Sequence, residues 1–212
     1  MEPSPFIIPE TIHPIRAEND PSRLAAEINT LCTKALDWGA AGTAVIGPED
    51  LVFGDKHRNM TQTAPDLPSI CWPLDFPIDD LKEALFAYDK GIFLYIDVDV
   101  DLPDDGDTPE ADKNHLAAYR KIHEIVSAVE SAAFYMGHYL AMGFAAGNCR
   151  SVFCMEEGQC SAVVVAKGCT APYKSRPSMS AVGVDPLKTA WKAHLPQPDP
   201  DRPFLSGLVM VA

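Results

Sequence analysis

Positive charge is scarce in this chain. Its 17 lysines and arginines face 30 aspartates and glutamates, for a formal net charge of -13. A surface of that sign repels phosphate backbones and anionic headgroups, so non-specific binding to nucleic acid or a lipid surface is not expected. Nor is there a run of the roughly 20 apolar residues that a bilayer span requires. The longest apolar region, around 132–147, is interrupted by His138 and diluted by glycine and alanine. The opening, Met1-Glu2-Pro3-Ser4-Pro5-Phe6, has neither the basic start nor the apolar stretch of a secretory signal. These absences together predict a cytoplasmic protein without membrane insertion. A phosphate loop, a Gly-x-Gly-x-x-Gly turn and a Gly-x-Ser-x-Gly elbow are also missing, which argues against a nucleotide-dependent enzyme or an esterase.

What is present is the composition of a folded protein. Of its 212 residues, 47% are apolar and 8% aromatic, enough for a substantial core. The five prolines between Pro3 and Pro21 preclude a long helix there, leaving room for a short strand at Phe6-Ile7-Ile8. Leu24, Ile28, Leu31, Ala35 and Trp38 recur at helical spacing behind Ser22 as N-cap, with Gly39 as the stop. Strands are expected at 43–46, 92–100 and 204–211, and helices at 78–88 and 186–195, the latter opened by Asp185-Pro186. Pro177 is placed to open a short helix ending near Gly183. A long helix is expected over 109–145, carried by Tyr119, Ile122, Val126, Val129, Ala133, Met136 and Leu140, with Gly147-Asn148 as its stop. No internal repeat divides the chain, so residues 1–212 read as a single α/β domain. Its architecture is a mixed sheet flanked by helices, with a C-terminal Cys-rich loop over about 147–176.

Cysteine is also scarce, at six residues, yet four of them fall within twenty-one positions: Cys149, Cys154, Cys160 and Cys169. In a reducing compartment such a cluster suggests metal or redox chemistry more than structural disulfides. The spacing, Cys-x4-Cys-x5-Cys-x8-Cys, lacks the tight pairs of a zinc ribbon. Four thiolates in one irregular segment can wrap a larger centre, and a four-iron cluster takes four cysteine ligands. Spacing alone leaves iron–sulfur, zinc and uncoordinated or disulfide-forming cysteines all open. Arg150, Lys167, Lys174 and Arg176 against Glu156 and Glu157 make the segment locally basic. Cations there would stabilise an anionic cluster; the blander alternative is a solvated basic loop. Ala162 to Ala166 would cover the centre with apolar bulk, or form a short core strand.

The residues around the quartet carry a resemblance. Gly143-Phe144-Ala145-Ala146-Gly147-Asn148-Cys149 leads in, and Arg176-Pro177-Ser178-Met179 and Ala181-Val182-Gly183-Val184-Asp185 follow. The chain thereby resembles the DUF2284 group of predicted metal-binding proteins, closely over about 135–191. The resemblance is weaker at Cys71-Trp72-Pro73, the helix from Ile78 and the strand at Ile92. It implies that Cys149, Cys154, Cys160 and Cys169 are ligands, for a [4Fe–4S] cluster before zinc. Further cysteines common in that family ahead of the Cys-Pro-Pro segment are absent from 57–70, and the first three cysteines stand wider apart than in the family. One cluster is therefore implied, and no second.

Other candidates read as structural. Cys71 could reach the centre as a fifth thiol or redox partner, although a buried thiol is the simpler reading; Cys32 belongs to a helix core. His138 could serve the cluster or relay a proton, with a surface or interface histidine as the plainer reading. His115 and His123, on a polar helix, form no metal triad with a carboxylate. Asp97, Asp99, Asp101, Asp104, Asp105 and Asp107 lack the glycine and terminal glutamate of a calcium loop and read as a solvated strand end. The expected function is electron transfer, or accessory redox service to a larger enzyme, through a redox protein partner docked on the basic segment. The alternatives are a cluster-dependent enzyme activating a small substrate and a structural zinc scaffold. Enzymatic activity is left open, as is homo-oligomerisation.

Overall fold

The computed structural model describes residues 21–54, 78–98, 109–157, 160–164, 168–195 and 204–212. Four strands form one sheet in the order β1-β2-β4-β3: β1 (Gly42–Ile46), β2 (Lys90–Asp97), β3 (Met142–Phe144) and β4 (Phe204–Val211). Each ladder is antiparallel. Gly42 pairs with Tyr95, Lys90 with Val211 and Phe144 with Leu208. The expected α/β class, a sheet with helices packed on it, is the class observed. A parallel pairing occurs at the single Ala145–Ser178 bridge.

The central strands β2 and β4 are buried on both sides, so they read as continuous apolar runs. Period-two alternation sorts their side chains. Ile92, Leu94 and Ile96, with Leu205, Val209 and Val211, point to a layer of two helices, α1 (Pro21–Asp37) and α3 (Pro109–Tyr135). Phe93, Tyr95, Leu208 and Met210 point the other way, against Leu81 and Leu85 of α2 (Ile78–Phe86) and against the segment from Met179 to Leu195. Helices thus cover both faces. Helix α1 contributes Leu24, Ile28, Leu31 and Ala35, the stripe expected from spacing, whereas Trp38 falls beyond its end and is exposed. Helix α3 contributes Ile122, Ile125, Val126, Val129 and Ala133. Full burial of each large apolar side chain contributes about 1.5–3 kcal/mol. Where α3 crosses β4 the backbones come so close that a Cβ on Gly207 would lie 2.3 Å from Val126 Cγ2.

The long helix is shorter than its pattern suggested. It ends at Tyr135, and Gly137, at φ 106°, turns the chain so that the His138 N–H bonds to the Ala133 carbonyl at 3.0 Å. Residues 142–144, expected to continue the helix, instead add β3 to the edge of β4. A short apolar run fits either state by periodicity, and the open edge of β4 decides it. Leu140, expected on the buried stripe, is exposed in the connecting turn. Gly147-Asn148 does not stop a helix but starts one: Asn148 accepts a hydrogen bond from the Arg150 N–H at 2.9 Å and caps α4 (Cys149–Phe153). Within 162–166, the expected short strand is not formed over the described part, because Ser161–Val164 is one helical turn, α5.

After the cysteines the expected local signals hold. Ser178 caps a 3-10 turn over Met179–Val182, and Asp185 caps α6 (Pro186–Lys192) by accepting from the Lys188 N–H at 3.0 Å. Among the described residues no helix is long and apolar enough to cross a membrane. The expected strand at Phe6–Ile8 lies outside the described residues.

Candidate metal centre

The cysteine segment leaves the sheet and returns to it at one place. The Ala145 N–H donates to the Pro177 carbonyl at 2.8 Å, and the Met179 N–H donates to the Ala145 carbonyl at 3.2 Å. Residues 146–176 therefore form an excursion whose ends are clamped together beside β3. A loop closed this way loses less freedom when its interior side chains are ordered.

Polar residues of α3 form the floor. Arg120 reaches the Val152 carbonyl with Nε and Nη2, both at 3.4 Å, and holds α4 down. Glu130 takes an ion pair from Arg176 Nε and a hydrogen bond from the Gly143 N–H at 3.1 Å, so one carboxylate ties the strand to the returning limb. Arg176 also donates from Nη1 to the carbonyls of Pro172, at 3.0 Å, and Ser175, at 2.7 Å. Glu124 faces Lys174 at 3.7 Å near the surface. Two cations of the supposedly solvated basic segment are thus committed to α3 carboxylates, which is why its local charge is more muted than the composition implied. Lys167 lies outside the described residues.

His123 is the least expected member. It is 0% exposed, wedged beneath the segment with its ring edge-on to Phe153 at 5.4 Å between centroids. Its Nδ1 accepts the Arg176 backbone N–H at 3.2 Å, and the ring is also hydrogen-bonded to the Ala146 backbone. Burial lowers its pKa to about 4; the Ala146 backbone opposes this shift, and the Arg176 charge adds to it. The ring is neutral at neutral pH. With Nδ1 accepting, the proton is on Nε2.

Among the thiols, Cys154, Cys160 and Cys169 are free and half-buried. Cys154 ends α4, and its Sγ is 3.2 Å from Thr170 Oγ1, which brings it beside the residue following Cys169. Cys169 Sγ is 3.1 Å from Ser175 Oγ and accepts from the Ala171 N–H at 3.4 Å. Cys160 precedes α5, whose Ser161 hydroxyl donates to the Gly168 carbonyl at 2.8 Å. Cys149, buried at the start of α4, is disulfide-bonded, and its partner is none of these three. Among the described residues, no three His, Cys, Asp or Glu side chains stand together as a metal-holding group. Cys71 lies outside the described residues.

The donor set fits thiolate ligation in its chemistry. The Ala171 N–H donates to Cys169 Sγ, and the Thr170 hydroxyl lies in hydrogen-bond contact with Cys154 Sγ; such polar partners stabilise sulfur when it carries charge. Cys149 fits only once reduced, because a disulfide sulfur is not a thiolate ligand.

The remaining candidates fall elsewhere. His138 is buried rather than a surface histidine. Its Nδ1 is 2.9 Å from the Ala212 carbonyl and its Nε2 is 3.1 Å from Glu27, so both nitrogens are occupied in joining α1 to the end of β4. It has no ring nitrogen left for a centre. Cys32 packs against the α1–α3 core, as expected. Asp97 is an exposed strand end, and Asp99 to Asp107 lie outside the described residues, as does the side chain of His115. The sequence singled out neither Arg120, Glu124 nor Glu130, and His123 read there only as a residue of a polar helix. Their signal was visible: spacings of three, four and six along one helix, on the flank of its apolar stripe.

Searches of curated proteins and of solved structures find no match to the chain. A family model described as predicted metal-binding protein matches residues 45–210, which takes in β2, β3, nearly all of β4 and the whole cysteine excursion. By that match the chain belongs to the DUF2284 family of predicted metal-binding proteins.

Proposed function

We propose that this protein holds one [4Fe–4S] cluster through its late cysteines and acts in electron transfer or as an accessory redox protein to a larger enzyme. The observation that carries the reading is the trio of free, half-buried thiols on one clamped excursion, Cys169 accepting from a backbone amide and Cys154 in hydrogen-bond contact with a threonine hydroxyl. Cys154, Cys160 and Cys169 would hold the centre, with Cys149 joining them in its reduced state. A bound cluster would supply one-electron chemistry. The chain's own residues order the thiols through Arg120, Glu130 and Arg176 and place hydrogen-bond donors against sulfur.

The experiment is metal and sulfide quantification on protein prepared anaerobically under reducing conditions. Iron and inorganic sulfide in near-equal amounts, with a brown colour, are the expected result. A colourless protein with stoichiometric zinc refutes the reading and supports a structural zinc scaffold. A second reading, a cluster-dependent enzyme with an open iron, draws on the disulfide at Cys149, which leaves three free thiols in the segment. Under that reading Cys149→Ala retains its cluster, whereas four-cysteine ligation predicts its loss.

A further inference from the structure

Residues 131–149 contain no Asp, Glu, Lys or Arg, in a chain whose formal net charge is -13. Ala133, Phe144 and Ala145 of this stretch are core, whereas the turn joining α3 to β3 faces water. Phe134, Tyr135, Tyr139 and Leu140 are 48%, 87%, 58% and 52% exposed. The rings are contiguous: Phe134 meets Tyr135 edge-on at 5.8 Å and Tyr139 at 5.3 Å between centroids. An aromatic side chain carries about 150–250 Å², so the open fractions of these three leave on the order of 400 Å² of ring surface in water. A contiguous patch of that size is among the largest a typical monomer shows and is often functional.

The turn is also held in place. Gly137, at φ 106°, reverses the chain, the Met136 carbonyl accepts from Arg23 Nη2 at 3.2 Å, and the Leu140 carbonyl accepts from the Tyr88 hydroxyl at 2.7 Å. The His138 ring is fixed between Glu27 and Ala212. Contacts from α1, from the α2–β2 connection and from the end of β4 thus order the turn before anything binds. Aromatic surface ordered in advance loses little conformational entropy on association.

We propose that this face is where two copies of the chain meet, as a two-fold dimer centred on Tyr135 with Phe134, Tyr139 and Leu140 around it. Charge selects the occupant. A second copy of an acidic chain is repelled wherever carboxylates face carboxylates, and the uncharged turn is a place where they do not. The charges tied to the turn are already paired: Arg23 meets Glu27 at 2.8 Å, and Glu27 also meets His138 at 3.1 Å. A basic partner would gain more from the acidic remainder of the surface. Each side of a standard interface buries about 800 Å², of which the rings supply roughly half as an apolar centre, with Arg23 and Glu27 at the polar rim. The dimer does not depend on the metal centre.

The test is sedimentation equilibrium on the full chain across the micromolar range, with reductant present so that no intermolecular disulfide contributes. Wild type is expected to be a reversible dimer. Tyr135→Glu places a negative charge at the middle of the contact and should raise the dissociation constant at least about thirtyfold, the effect of losing one central hot spot. Trp191→Glu, an equally drastic change at an exposed aromatic on α6, should leave it unchanged. A wild type that stays monomeric overturns the proposal, and binding of that monomer to phosphatidylcholine vesicles would assign the face to lipid instead. A dimer that Tyr135→Glu does not weaken, or that Trp191→Glu weakens as much, overturns it too, since the copies then meet elsewhere. Should Tyr135→Glu fail to fold, the ring resonances of Tyr135 and Tyr139 in wild type decide: they shift with concentration if a second copy covers the face, and stay fixed if it does not.

Discussion

The sheet core and the cysteine excursion occupy the same small fold but are held by different physics. Phe93, Leu94, Leu208 and Val209 are buried by area, and any apolar side chain of similar volume would serve at such positions. Among its described residues the excursion buries Cys149 and Val152. It is held by directional contacts: Glu130 with Arg176 and Gly143, Arg120 with Val152, and His123 with Arg176. A core of the first kind tolerates exchange and loses stability in proportion to volume removed. A segment of the second kind changes shape when one donor or acceptor is lost, while the fold beneath it persists.

The largest expected effect is in the core. Phe93→Ala empties a fully buried site between β2 and the Met179–Leu195 layer and should cost about 3–5 kcal/mol in urea unfolding. If it costs less than the polar substitutions below, the comparison is inverted. Next comes acid. The pKa of His123 is lowered from 6.5 to about 4, so the folded state binds fewer protons than the unfolded one between these values. Its contribution is complete above pH 6.5 and is lost as pH falls toward 4, a change of roughly 3 kcal/mol from that shift. Unfolding curves of wild type and His123→Gln across that window should differ in slope; parallel curves would show that the ring is not buried neutral.

A smaller, more local effect is expected from Glu130→Gln. Loss of the carboxylate weakens its bonds to Arg176 and Gly143, with a cost of about 1–3 kcal/mol. Hydrogen exchange should quicken over 169–177 while the amides of β2 and β4 keep their protection. Quickening throughout would mean that the excursion and the core form one cooperative unit. The smallest effect belongs to Lys174→Ala. Its pair with Glu124 is exposed on both sides and long, so stability should change by less than about 0.5 kcal/mol.

Legibility in the sequence followed the same division. The α1 stripe, the β2 and β4 runs and the Asp185-Pro186 start of α6 were readable because each is a local pattern agreeing with its surroundings. Residues 142–144 misled, because their apolar character suits a helix as well as the strand that β4 recruits. His138, beside the stripe, read as a surface or interface histidine and is buried between elements, since Glu27 and Ala212, over seventy residues away on either side, supply its partners. His123 looked like one more polar helical residue until the chain folded the Arg176 limb across it.

By itself the sequence determined α1, β2, β4 and the start of α6, their apolar faces and the gathering of four thiols into twenty-one residues, because these depend on neighbours a few positions apart. Only the tertiary structure decided where α3 stops, that its polar flank becomes the floor of the excursion, and that His123 is buried there beneath the Arg176 limb. Those outcomes depend on contacts between residues tens of positions apart, and no local periodicity encodes the energy of such a contact.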